Sequence, residues 1–186
     1  MDSFTAPHAA LLSPTQALTG AFVLDAGLPA APSSAAALAT KASQVQVRQG
    51  FRLGDLRLMV RYEDGSELTE LPHVYRLPNA PAWFCGIANL HGMLVPVFDL
   101  ARYIGFETDA GAKRMLLVLA HGADAAGIVI DGLPERLRWA ADQGADPAAA
   151  PARLAPHVHA AALIGEQLWF DLDCAALLDA LEQAIA

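Results

Sequence analysis

Positive charge is scarce in this chain. Its 12 Lys and Arg stand against 20 Asp and Glu, and no basic cluster interrupts the net charge of −8. A surface that grips phosphates needs concentrated Lys and Arg, so the balance argues against nucleic acid as a partner. The same deficit argues against an anionic membrane surface. Long apolar runs are missing too. The longest, Met115 to Ala120, is far too short to cross a bilayer, so no direct membrane insertion is expected. Only two cysteines occur, Cys85 and Cys174, both among apolar residues. They do not make a secreted disulfide framework; buried free thiols in a reducing cytoplasm fit better. The N-terminus carries Asp2 and neither a basic region nor a long apolar core, so no secretory signal is expected. G-x-S-x-G, P-loop and Rossmann patterns are all absent, which leaves no motif for hydrolytic, nucleotide or dinucleotide chemistry.

Apolar material is abundant, at 54% of 186 residues, enough for one compact domain or two small halves. The densest stretch is 77–105. Pro78 and Pro81 bracket a turn, because proline fixes φ and donates no hydrogen bond. Trp83 to Leu90 and Met93 to Phe98 are strands, and His91-Gly92 between them is a tight X-Gly hairpin turn. Pro96 lacks a ladder donor and belongs at an edge or bulge. Asp99 caps a short helix, Leu100 to Ile104, which Gly105 ends in the left-handed region.

The pattern returns near the C-terminus. His159 to Leu163 is apolar, Ile164-Gly165 breaks it, and Leu168 to Phe170 is a second run. Both copies carry Phe-Asp-Leu, at 98–100 and 170–172, after a strand and before a helix. The duplication predicts two related small barrels or sheets, and two copies are too few for a solenoid.

Other segments fill in this frame. Residues 1–47 are rich in Ala, Pro and Ser. They form an extension that is either flexible or an arm packing through Leu18, Phe22 and Leu24, with a short helix from Pro14 to about Phe22. The body, residues 48–186, holds strands at 51–53, 56–60, 66–71, 115–119, 127–130 and 136–139. Leu68 and Leu71 are the inward candidates of the third. Residues 140–156 read as a long loop. In the final helix Cys174, Leu177, Leu178, Leu181 and Ile185 share one face, so it docks on the body. Many short strands with Gly and Pro turns predict an all-β barrel architecture with a few short helices.

Several polar residues invite a chemical reading. His157 and His159 would share a strand face, but no carboxylate or cysteine stands near them in sequence and a metal needs a third ligand. No metal or cofactor is expected. His73 and His121 lie beside turns as solvated residues. Asp99, Asp131 and Asp171 each precede a helix or turn, and capping accounts for all three.

The run Gly86-Ile87-Ala88-Asn89-Leu90-His91-Gly92, then Leu94-Val95-Pro96-Val97-Phe98-Asp99-Leu100, resembles the signature of CheW-like domains, G-[VI]-x-N-[LV]-R-G followed by [IV]-[VL]-P-[VI]-x-D-L. Gly127 to Asp131 is similar to the family's G-L-[LV]-V-D element, and 170–172 to its closing L-D-L. The resemblance spans roughly 48–182, and the FRLGD opening with the N-terminal arm looks most like the PilI branch, which serves type IV pilus systems. It implies two intertwined five-stranded SH3-like β-barrels with short helices and a C-terminal helix. It also implies a non-enzymatic adaptor without cofactor. The implied partners are the regulatory domain of a CheA-type histidine kinase and the cytoplasmic tip of a methyl-accepting chemoreceptor.

The implied partner-binding residues are Leu68, Glu70, Gly86, Asn89 and His91. Gly86 opens the signature at the receptor-facing groove, where an arginine is expected to block coupling yet spare the fold. Asn89 either contacts the partner or caps its own turn. His91 replaces the family arginine, a planar and permanently charged fork, by a smaller group that is mostly neutral at pH 7. It is either a retained contact or simply an exposed turn residue. Leu68 and Glu70 resemble a V-x-E segment facing the same groove. The alternative to an adaptor is a small ligand-binding or enzymatic β-barrel that has lost the coupling role.

Overall fold

Strands β1 (Gln46–Leu53) and β2 (Leu56–Arg61) form the first hairpin of the computed structural model, which describes residues 45–106 and 111–185. The readings of 1–44, and of residues 108–110 of a polar loop expected from Thr108 to Ala112, lie outside these residues. Ten more strands follow: β3 (Gly65–Glu70), β4 (Val74–Tyr75), β5 (Phe84–Leu90), β6 (Met93–Phe98), β7 (Arg114–Leu119), β8 (Ala126–Asp131), β9 (Glu135–Trp139), β10 (Gly144–Ala145), β11 (Val158–Ile164) and β12 (Gln167–Leu172). Helix α1 (Leu100–Ile104) follows β6, and α2 (Cys174–Gln183) follows β12. Among the described residues no helix is long and apolar enough to cross a membrane.

The strands make two sheets in the orders β10-β11-β12-β2-β1-β9 and β4-β5-β6-β8-β7-β3. Each has five full strands and one of two residues, so the fold is mainly β with two barrel-like halves. Written this way the orders superimpose position by position. β12 pairs in parallel with β2 as β6 does with β8. The second sheet is a continuous stretch of chain. The first is assembled from both ends, with the β1–β2 hairpin standing where a hairpin after α2 would stand. The halves are therefore duplicated and intertwined.

Burial follows from this arrangement. One face of the second sheet encloses Ala88, Leu90, Val95, Val97, Leu116, Val118 and Val129. The first encloses Met59, Leu137, Trp139, Ala162 and Trp169. Their other faces meet in a central core with Phe51, Leu58, Phe170, Phe98, Leu117 and Ile128, closed at one end by Leu177, Leu178 and Leu181 of α2. Each such side chain contributes about 1.5–3 kcal/mol on burial. Strand β8 is buried at all six positions, and a strand covered on both faces reads as an unbroken apolar run.

Several local expectations hold. His91 and Gly92 both have positive φ, at 52° and 90°. Asp99 accepts from the Arg102 amide, and Gly105 closes α1 at φ 77°. Ile185 is partly buried against the central core beside the α2 face. Others need correction. Leu68 is exposed, because Glu67 and Thr69 take the inward side of β3, and Leu71 is exposed because it lies past the end of that strand. The second hairpin turns at Gly165-Glu166, one residue later than the apolar break suggests. Residues 140–156 contain β10 and short 3-10 turns at 141–143, 147–149 and 155–157. Pro96 lies in an inner strand, yet β6 pairs with β8 only at Val97 and Phe98, so the missing donor lies beyond that ladder.

The duplication reaches the buried charges. Phe98 is level with Ile128 and Leu117, and Phe170 with Leu58 and Phe51. Counting back equally from Leu117 and Phe51 gives Arg114 and Arg48. Arg114 Nη2 lies 3.2 Å from Asp99. Arg48 Nε donates to both oxygens of Asp171 at 2.8 Å. Capping therefore accounts for Asp99 alone of the three aspartates. The cap of α2 is Asp173, while Asp131 accepts from the Gly54 amide at 2.6 Å.

Both cysteines are free thiols, Cys174 buried and Cys85 half-buried. Burial, with Asp64 and Asp173 nearby, pushes the Cys174 thiol up to about 12; burial also raises Cys85. A cysteine attacks a disulfide as its thiolate, releasing the reagent's other thiolate, so Cys174 is expected to react with a disulfide reagent at pH 8 only as fast as the chain unfolds. Stopped-flow thiol counting with and without denaturant measures this. Native-state labelling of two thiols at similar rates would contradict the burial.

Candidate functional site

Paired strand residues point to one side of a sheet, so its outer face can be followed by register. On the second sheet Tyr75 pairs with Ile87, Ile87 with Pro96, and Asn89 with Leu94. Continuing along β6, this face reaches Phe98, then Ile128, Leu117 and Leu68. Its middle is covered by the first sheet. Its margins are not. Leu94 is 72% exposed and Tyr75 63%, and Leu77 past the end of β4 is open too; Met93 at the hairpin end is exposed but pairs with Leu90 and so points to the sheet's other side. Leu68 is exposed on the opposite margin. Exposed apolar side chains grouped in this way, rimmed by polar ones, mark an interaction surface.

Beside Tyr75 a cleft of about 240 Å³ is lined by Arg76, Leu77, Ala80, Pro81, Ala82 and Phe84. Its position follows from the prolines, since Pro78 and Pro81 forbid regular pairing and Asn79 takes a positive φ of 60° between them.

Asn89 accepts from the Gly92 amide at 2.9 Å, holding its own turn. His91 sits on that turn, with Nε2 3.0 Å from Glu67 Oε1. Glu67, rather than Glu70, thus meets the residue at the family-arginine position. Glu70 pairs with Lys113 at 2.6 Å, and that hydrogen bond and charge hold its carboxyl below the usual carboxylate range. Both partners are well exposed, so the pair adds little stability. Gly86 is buried beneath β4 and bears on the surface only through Tyr75 above it. A Cβ there would overlap the carbonyl oxygen of Tyr75 and come within 2.7 Å of its carbonyl carbon. The expectation that arginine at Gly86 spares the fold is therefore corrected.

Sequence reasoning missed Tyr75, Leu77, Met93 and Leu94. Strand β6 is apolar on both faces, so nothing in its pattern marks where cover by the other sheet stops.

The histidines fall differently from their sequence pattern. His157 lies in a 3-10 turn, and His159 on β11 reaches the buried Asp171 at 3.1 Å. A carboxylate does stand by His159, brought there by pairing and not by sequence. No group of three metal-ligating side chains occurs among the described residues. His73 is exposed and stacks edge-on to Tyr75 at 4.6 Å.

Comparison with known proteins follows this geometry. The model of the CheW-like domain family matches residues 49–182. PilI of Pseudomonas aeruginosa is 32% identical over 83 residues, covering 44% of this chain and 47% of PilI. FrzA of Myxococcus xanthus is 35% identical over 96 residues, 51% of this chain and 60% of FrzA. The chain thus spans about half the length of the first curated relatives it matches. Chemotaxis protein CheW of Klebsiella aerogenes is 26% identical, covering 73% of this chain and 82% of that protein. The crystal structure of the scaffolding protein TtCheW from Thermoanaerobacter tengcongensis superimposes with a TM-score of 0.60 at 18% identity, over 70% of this chain and 90% of that one, and so shares the fold.

Proposed function

The chain belongs to the family of CheW-like domains, and on that premise we propose that it is a non-enzymatic adaptor of a bacterial chemosensory complex. It couples the cytoplasmic tip of a methyl-accepting chemoreceptor to the regulatory domain of a CheA-type histidine kinase, in the cytoplasm. The similarity to PilI supports a system that controls type IV pili and twitching. An adaptor makes and breaks no bond. It works by presenting shaped surfaces at a fixed separation.

The observation that carries this reading is the exposed outer margin with Tyr75, Leu77 and Leu94, next to the open hairpin end at Met93. A chain of net charge −8 leaves these large apolar groups in solvent along one sheet margin, where a partner can cover them. We assign this margin to the receptor tip. Asn89, His91 and Glu67 form its polar rim, Leu68 and Glu70 stand on β3 at the opposite margin, and Gly86 supports it from below. The cleft beside Arg76 accepts one projecting side chain. Leu94→Asp places a charge in the centre of such a contact. It is expected to cost about 2–4 kcal/mol of receptor binding, as central apolar residues do. Kinase binding and the melting temperature stay unchanged. Calorimetry with each partner domain separately tests this, and equal receptor affinity in the variant would overturn the assignment.

The ligand-binding reading draws on the cleft of about 260 Å³ lined by Arg61, His159, Leu172 and Asp173. It holds one histidine and a carboxylate, but its volume falls below the roughly 300–1,000 Å³ of small-molecule sites. The adaptor reading has the stronger support.

A further inference from the structure

The two sheets meet through an apolar core, and hydrophobic contact is non-directional. Such a core resists separation more than it fixes rotation or sliding. Buried polar groups, by contrast, specify one arrangement, because any other leaves them unsatisfied. One such group crosses between the halves. Asp131, at the end of β8 in the second sheet, is only 5% exposed. Its Oδ2 accepts from the amide of Gly54, in the β1–β2 turn of the first sheet, at 2.6 Å. Its Oδ1 faces Arg114 Nε at 3.6 Å, and the same guanidinium holds Asp99, the cap of α1. The Gly132 amide anchors the adjoining backbone to Lys113 at 2.8 Å.

The duplication supplies an internal control. Arg114 is level with Asp131 in one sheet, as Arg48 is with Arg61 in the other. Arg61 is exposed and pairs within its own turn, with Asp64. The barrel does not itself require a carboxylate at this position, nor a reach into the neighbouring half. The reach occurs on one side only.

We infer that Asp131 is a positioning residue: by binding the Gly54 amide with one oxygen and facing Arg114 with the other, it fixes the orientation of one barrel against the other. If the chain is an adaptor, as proposed above, that orientation sets the angle between its partner faces. Asp131 then governs transmission and leaves binding alone.

The test uses the full chain with Asp131→Ala and Asp131→Asn. Asparagine keeps an acceptor for Gly54 and loses the charge. Residual dipolar couplings of the isotope-labelled protein report the relative orientation of the sheets. The wild type is expected to fit one alignment tensor. Asp131→Ala needs two, with amide exchange at Gly54 at least 100-fold faster, and Asp131→Asn behaves as wild type. With the receptor tip and CheA-type kinase of the same cell, Asp131→Ala is expected to bind each partner within about twofold of wild type. It is expected to lose about tenfold in kinase stimulation. A single unchanged tensor for Asp131→Ala overturns the inference, as does loss of stimulation only in step with loss of binding. If Asp131→Ala fails to fold, the asparagine variant decides, since two tensors for it are fatal to the idea. If the wild type binds no kinase, the adaptor reading fails while the couplings still judge Asp131.

Discussion

Gly86→Ala is expected to destabilise the chain by roughly 2–6 kcal/mol and to detach β4 from its sheet. Two costs combine. The φ of Gly86 is 128°, a region closed to side-chain-bearing residues, and such strain costs about 1–3 kcal/mol. The added methyl also meets the Tyr75 carbonyl and comes within 3.0 Å of Arg76 Cα, which are backbone atoms and cannot rotate aside. Overpacking of that kind adds about 1–3 kcal/mol. Strand β4 has two residues and pairs only with β5, at Ala88 and Ile87, so little else holds it. Denaturant unfolding measures the first effect. Amide exchange at Val74 and Tyr75 measures the second. A variant within 1 kcal/mol of wild type, with β4 amides still protected, would show that the close approach relaxes freely. Gly86→Arg behaves at least as badly, so any loss of partner binding in either variant reports a displaced Tyr75.

The tandem logic of the chain was legible because it is local. Phe98-Asp99-Leu100 and Phe170-Asp171-Leu172 sit beside their own turns and helices, and turn chemistry is written in adjacent residues. The family signature lies in the same stretch. Pairing across the chain was not legible. Arg48 and Asp171 are 123 positions apart, and Gly54 and Asp131 are 77 apart. An aspartate before a turn looks like a cap whether or not a distant guanidinium waits for it. Strands β4 and β10, two residues each, are too short to have a period. The misplacing of Leu68 has the same root. Alternation in β3 gives two faces, and hydrophobicity alone chose the wrong one. The candidate site suffered most. Its exposed residues lie on strands whose other positions are core, and only the edge of the overlying sheet separates the two.

Asp171→Ala is expected to be the most damaging loss of charge, at about 3–5 kcal/mol, because it leaves a half-withdrawn guanidinium without its partner. The Asp171 side chain is 0% exposed and Arg48 13%. For a domain of this size that lowers the melting temperature by roughly 6–20 °C. His159 is 48% exposed and can turn to water, so His159→Ala is expected to cost under about 1 kcal/mol. The double variant Arg48→Met with Asp171→Leu removes both charges and leaves apolar atoms in their place. It is expected to be more stable than Asp171→Ala, since the penalty arises from the orphaned charge more than from the lost attraction. The repeat sharpens the comparison. At the matching place Asp99 shares Arg114 with Asp131, so Asp99→Ala leaves the guanidinium a second carboxylate. It forfeits mainly the cap of α1, about 1 kcal/mol. Thermal and denaturant unfolding of the four variants ranks them. Equal losses for Asp99→Ala and Asp171→Ala would mean that Asp131 does not compensate in one half for what Asp171 does alone in the other.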